Sequence, residues 1–167
     1  MRRLPSSRLV RCDSGTAAAE MALVMPLLLV IIFGAFELGN YFLNNHAVAK
    51  AVRDGARYAS RRSFVEYSCS TVSTDVLDKT RNITRTGQVA TGGTPRVYGW
   101  TNPATITMSV SCDTSGTYTG IYTGMATGAP VVTVTAAVPY IPLFNSLGFS
   151  SASLFLRSRS QSAVMGV

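Results

Sequence analysis

A short stretch near the N-terminus combines residue types that suit proteolytic processing. Gly15 and Thr16 form a small-residue junction, and Glu20 and Met21 follow within one helical turn and a half. A long apolar run begins just after the junction, whereas an ordinary secretory signal carries its cleavage site after a shorter apolar region. Cleavage between Gly15 and Thr16 would therefore leave the apolar run on the mature protein. The competing interpretation is an uncleaved signal anchor in which this spacing has no role.

Glu20 is the one charged residue in the apolar run, which covers residues 17–36. A carboxylate in the hydrocarbon core costs on the order of 2–3 kcal/mol even on insertion scales, so its presence calls for a reason. After cleavage, the new amino group of Thr16 would be a cationic partner for Glu20 of a neighbouring copy, and this pairing would help to set the axial register of packed helices. Alternatively, Glu20 lies among the lipid headgroups and complements the N-terminal dipole of its own helix.

The rest of the chain offers little for catalysis or metal binding. His46 is the single histidine, and it has no Cys, Asp or Glu at a spacing that would complete a metal site. One histidine also gives no convincing Ser-His-Asp or Cys-His arrangement. We therefore expect a protein that is not an enzyme, with no catalytic residue, no metal, no other cofactor and no small-molecule substrate.

Two cysteines lie beyond the apolar run, at Cys69 and Cys112. If this part of the chain is exported, the two thiols meet an oxidising compartment and can pair, which would stabilise the fold by roughly 3–4 kcal/mol in the chain-entropy model. The alternative is two buried free thiols that behave as small apolar side chains. We favour the disulfide.

The pattern around these residues predicts one long helix over residues 17–60. Residues 16–36 are long and apolar enough to span a bilayer, at about 1.5 Å per residue across roughly 30 Å. Residues 37–62 continue as a projecting amphipathic helix, in which Asp54 has only loose helical partners for an ion pair. The predicted apolar or small stripe of this half consists of Leu38, Phe42, Asn45, Val48, Val52, Gly55 and Ala59.

Residues 63–167 are richer in Ser, Thr and Gly and predict a small α+β region. Residues 72–83 favour a short helix. Alternation or β-branched content predicts strands at residues 106–112, 130–138 and 154–163. We expect the three strands to form an antiparallel sheet with one face packed on the long helix.

The N-terminal quarter of the chain resembles the TadE-like pseudopilins of the tight-adherence (Flp) pilus system. The resemblance rests on residues 15–29 (GTAAAEMALVMPLLL), residues 33–39 (FGAFELG) and residues 51–59 (AVRDGARYA). It implies a pilin-like fold and a minor pseudopilin, that is, a membrane-anchored structural and assembly component of a Tad pilus that takes part in adhesion.

The resemblance also implies partners and roles for the residues at the junction. Gly15 and Thr16 match the cleavage junction of a prepilin peptidase, and Glu20 matches the glutamate of the motif. Met21 departs from the motif, where an aromatic residue usually follows the glutamate. The further partners would be other pseudopilins and the Tad secretion and assembly proteins.

The charge distribution favours a membrane protein over a nucleic-acid binder, although the net charge is +7. Four arginines lie in residues 1–15, a basic leader, and no Lys or Arg occurs between Phe36 and Lys50. The positive-inside rule then places the N-terminus in the cytoplasm and the C-terminal region on the other side of a single span. The resemblance to TadE-like proteins implies that the membrane is a bacterial inner membrane and that the C-terminal region is periplasmic. No nucleic-acid-binding motif with interleaved aromatic residues is present.

A second functional class uses the same elements differently. Residues 16–36 would be a plain signal anchor, and residues 63–167 would bind a ligand or partner in the periplasm without any role in pilus assembly. The two hypotheses differ in whether Gly15 and Glu20 matter.

Overall fold

The computed structural model describes residues 13–114, 116, 118–125, 127–148 and 153–166. Most of the predicted basic leader, with its four arginines, lies outside the described residues. The chain forms two compact units, the first ending at Gly39 and the second running from Asn40 to Val167. The second unit holds the sheet.

The predicted long helix is present as α1, Asp13–Ser60. It begins four residues before the predicted start and ends at the predicted residue. Pro26 lies inside the helix, where it removes one backbone hydrogen bond.

The end of α1 is well satisfied, since helix termini leave carbonyl groups without an intrahelical donor. The hydroxyl of Tyr67 donates to the carbonyl oxygen of Ala59. The N–H of Met165 donates to the carbonyl oxygen of Ser60 at 2.7 Å. The segment just after α1 and the segment after β3 therefore both bind the C-terminal end of α1.

A three-stranded antiparallel sheet forms the other layer of the second unit, as predicted. Its strands are β1, Ile106–Asp113, β2, Ala129–Pro139, and β3, Phe155–Ala163. Their order is β1-β2-β3. The fold class is thus α+β, with a long N-terminal helix and a small antiparallel sheet.

The face of α1 that packs in the second unit differs in part from the predicted stripe. Val48, Val52 and Ala59 are fully buried, as expected. Phe42, however, is 59% exposed, and its neighbour Tyr41 packs against the core instead. The other buried residues of α1 in the second unit are all small, namely Ala51, Gly55, Ala56 and Ser60. Small side chains let the helix approach its neighbours closely.

A short helix, α2, covers Thr74–Thr86 and lies slightly C-terminal to its predicted position. The side chain of Ser73 caps its N-terminus by accepting a hydrogen bond from the N–H of Val76. Gly87 ends the helix in the left-handed conformation, with φ 82°.

The core lies between α1 and the sheet and is centred on large side chains from three segments. Trp100, Ile106 and Leu156 are almost completely buried. The indole N–H of Trp100 donates to the hydroxyl oxygen of Thr105 at 2.8 Å, so the buried tryptophan keeps a polar partner.

Candidate functional site

The predicted cleavage junction lies in the first turns of α1. Gly15 and Thr16 are exposed, and a Cβ atom added at Gly15 would meet no atom within 4 Å. The junction is thus accessible in the described part of the helix.

Glu20 and Met21 lie one turn further along the same helix, and both are exposed. Residues four apart share a helix face, so Thr16 and Glu20 are neighbours along α1 whereas Gly15 points elsewhere. The structure therefore brings Glu20 close in the helix to the residue that would become the new N-terminus.

The first unit presents an apolar helix surface. In the described part of the chain, α1 is the one helix that is long and apolar enough to cross a membrane. The large apolar side chains between Met21 and Ile32 are all exposed. An exposed apolar surface of this kind marks a contact with a membrane or another protein. The whole apolar run, residues 17–36, matches the hydrocarbon core of a bilayer in length.

The predicted disulfide is present between Cys69 and Cys112, whose Cα atoms lie 5.1 Å apart. It joins the segment that follows α1 to the end of β1. A cavity of about 320 Å³ beside it is lined by Phe64, Tyr67 and Met125 among others. Ser68 and Thr127 also line the cavity.

Burial raises the pKa of the Tyr67 phenol, against the smaller opposite effect of Arg62. Because this hydroxyl also donates to the end of α1, it serves as a neutral structural donor. Elsewhere on the second unit, Lys79 has a raised pKa because of its hydrogen bond to Asp75.

Within the described ranges, no group of three or more His, Cys, Asp or Glu side chains is placed to hold a metal ion. His46 is exposed on α1.

A polar and aromatic contact that the sequence did not reveal joins the segment after β2 to α1. The side-chain amide of Asn40 donates to the phenol oxygen of Tyr140 at 2.8 Å. The ring of Tyr41 meets that of Tyr140 edge to face at 5.3 Å. In the sequence, Tyr140 lies between Pro139 and Pro142. This pattern predicts a connecting segment, but it does not predict which residues Tyr140 contacts.

Comparison with known proteins finds a family match for α1. The family model described as TadE-like protein matches residues 15–57, about a quarter of the chain. No curated protein and no solved structure matches the chain. The match coincides with α1, including the residues of the predicted junction and the buried face of its C-terminal half. The chain is therefore similar to TadE-like proteins over residues 15–57.

Proposed function

We propose that this chain is a minor pseudopilin of a Tad (Flp, type IVb-like) pilus, that is, a membrane-anchored structural and assembly component. The observation that carries the proposal is the coincidence of the TadE-like match with a helix whose N-terminal half is apolar and exposed. A helix of this kind serves both as a membrane anchor and as a surface for lateral packing against similar helices.

The proposed topology places residues 1–15 in the cytoplasm, residues 16–36 in the inner membrane and residues 63–167 in the periplasm. The disulfide between Cys69 and Cys112 supports the periplasmic placement, because disulfides persist in oxidising compartments. The basic leader supports a cytoplasmic N-terminus.

The proposed mechanism begins with a prepilin peptidase that cuts after Gly15. The new amino group on Thr16 then carries a positive charge at the start of an apolar helix. In an assembly of parallel helices, this group and Glu20 of a neighbouring subunit neutralise each other, and a helix displaced along the axis would leave a charge unpaired. The partners are other pseudopilins and the Tad secretion and assembly proteins.

The first experiment determines the N-terminus of the mature protein in its own membrane fraction by intact mass. We expect a chain that begins at Thr16. Gly15→Leu should retain the leader, because the side chain enlarges the residue at the scissile bond. Gly34→Leu is the matched control, since neither position has an atom within 4 Å of an added Cβ, and it should be cleaved normally. An intact Met1 in cells that are making pili would refute processing.

A second variant separates processing from assembly. Glu20→Gln removes the charge and keeps the shape, so we expect a membrane-anchored chain in cells that no longer form pili. Glu20→Asp, which retains the charge, should preserve more of the pilus formation than Glu20→Gln does. Normal piliation with Glu20→Gln would favour the signal-anchored periplasmic binding protein that is unrelated to pilus assembly.

A further inference from the structure

β3 is an edge strand, and hydrogen bonds at its two ends show which of its residues bond to β2. Tyr140 N–H donates to the carbonyl oxygen of Leu154 at 3.0 Å, and Val164 N–H donates to that of Pro130 at 2.9 Å. Both pairs continue the β2–β3 register, in which Val138 lies opposite Leu156. Bonded and non-bonded pairs alternate in an antiparallel ladder. The even-numbered residues of β3 are therefore those bonded to β2.

The odd-numbered residues of β3 direct their backbone groups away from the sheet. This follows from the alternation, because a strand residue that does not bond to one neighbour points its N–H and C=O to the other side. Among the described residues, no other element makes a hydrogen bond to this outer side of β3. The outward residues are Phe155, Arg157, Arg159, Gln161 and Ala163.

The opposite edge of the sheet is contacted at its two ends. The guanidinium of Arg81, on α2, donates to the carbonyl oxygen of Ile106 at 3.3 Å at the start of β1. The disulfide holds the segment around Cys69 at the other end of β1. Among the described residues, no comparable hydrogen bond or disulfide is made to the outer side of β3.

A basic groove runs beside that edge, between β3 and α1. Its volume is about 330 Å³, and its floor on the strand side is formed by Ser160, Gln161 and Ser162. On the opposite side it is lined by Arg53 and Arg57 of α1 and by Arg61, which directly follows the helix; all three are exposed.

Within the described residues, Arg53, Arg57 and Arg61 make no ion pair with an acidic side chain, and none of the residues that line the groove is acidic. The ion pairs of the second unit use other cations, namely Arg62, Lys79, Arg81 and Arg96. The groove therefore keeps its positive charge available for a partner.

We propose that the β3 edge accepts an extended acidic segment of a partner protein as a fourth strand of the sheet. Backbone groups of β3 supply the pairing, as in other cases of strand addition. Carboxylates on one face of the added strand meet Arg53, Arg57 and Arg61 of the groove. A second copy of β3 is a poor occupant, because edge-to-edge pairing would bring arginines of the two copies together. This inference does not depend on cleavage after Gly15.

The test uses the full chain in detergent micelles and a fluorescently labelled nine-residue peptide of alternating Val and Glu, matched in length to β3. We expect binding by fluorescence anisotropy that weakens as salt is added. A peptide with Lys in place of Glu should not bind. Arg57→Glu should weaken binding about tenfold or more, whereas Lys50→Glu, the same charge change on α1 outside the groove, should have little effect.

A second pair of variants tests the backbone pairing. Gln161→Pro removes an outward N–H from the edge and places a ring in the path of the added strand. Gln161→Ala keeps that N–H and loses the same side-chain bond to Thr133, so it is the matched control. We expect the proline variant to lose peptide binding and the alanine variant to retain it.

Hydrogen exchange in the unmodified chain tests backbone pairing between β3 and the peptide, even if Gln161→Pro fails to fold. The amides of Arg157, Arg159 and Gln161 should exchange quickly alone and slowly with the peptide, while those of Ser158 and Ser160 stay protected in both states. Binding that depends on Arg57 without protection of the odd-numbered amides would overturn strand addition and leave a simple anion-binding groove. Equal binding to anionic phospholipid vesicles with no such protection would overturn it in favour of a membrane surface.

Discussion

Gly55 of α1 lies directly against Thr84 of α2, so closely that a Cβ at Gly55 would overlap the Thr84 hydroxyl oxygen. Thr84 is fully buried, and its hydroxyl donates to the carbonyl oxygen of Thr80 at 2.7 Å. The glycine therefore sets the distance between the two helices. This gives a physical reason for a glycine within the stretch AVRDGARYA that helped to identify the chain.

Gly55→Ala should destabilise the fold. The added methyl group must displace a buried, hydrogen-bonded side chain, and overpacking of this kind costs about 1–3 kcal/mol. Gly39→Ala, on an open part of the same helix, is the matched control, since nothing lies within 4 Å of its added Cβ. It should stabilise α1 by up to about 1 kcal/mol. Chemical denaturation of the full chain in micelles measures both, and equal effects would contradict the close approach.

Loss of the disulfide should lower the free energy of unfolding substantially. The bond links residues separated by 43 positions, for which the chain-entropy model gives about 4 kcal/mol. Replacing both Cys69 and Cys112 with alanine should reproduce the effect of a reductant on the unmodified chain. The double variant should itself be insensitive to reductant. An unmodified chain whose unfolding midpoint does not change on reduction would contradict the prediction.

The pH dependence of stability should reveal Tyr67. Burial raises the pKa of its phenol in the folded state above the ordinary value of 10.0. Above pH 10 the unfolded chain loses this proton while the folded chain retains it, so ionisation favours unfolding. The contribution of Tyr67 to stability is complete below pH 10 and declines as the pH rises beyond it.

Tyr67→Phe should therefore flatten the decline in stability above pH 10, in addition to removing the hydrogen bond to Ala59. Tyr98→Phe, at a position that is 84% exposed, is the control for the general effect of replacing a tyrosine with phenylalanine. Unfolding midpoints measured between pH 8 and about pH 11 provide the comparison. Identical profiles for Tyr67→Phe and the unmodified chain would contradict the assignment.

Local patterns in the sequence determined much of this fold. The apolar run, the helical periodicity and the break in composition after Arg62 predicted α1 to within a few residues, because these signals are local. Alternating and β-branched residues located all three strands for the same reason. The predicted disulfide followed from there being just two cysteines beyond the apolar run.

Tertiary structure decided which distant residues meet. Asp54 has arginines nearby on its own helix, yet it pairs with Arg96, whose Nη1 lies 2.6 Å from its carboxylate oxygen. Tyr41 packs into the core in place of Phe42, because the rotation of α1 about its axis is fixed by close contacts at its small residues. Whether the odd- or the even-numbered residues of β3 point their backbone groups away from the sheet depends on which of them bond to β2. A shift of one residue would reverse that parity, and the register depends on the packing of the whole sheet.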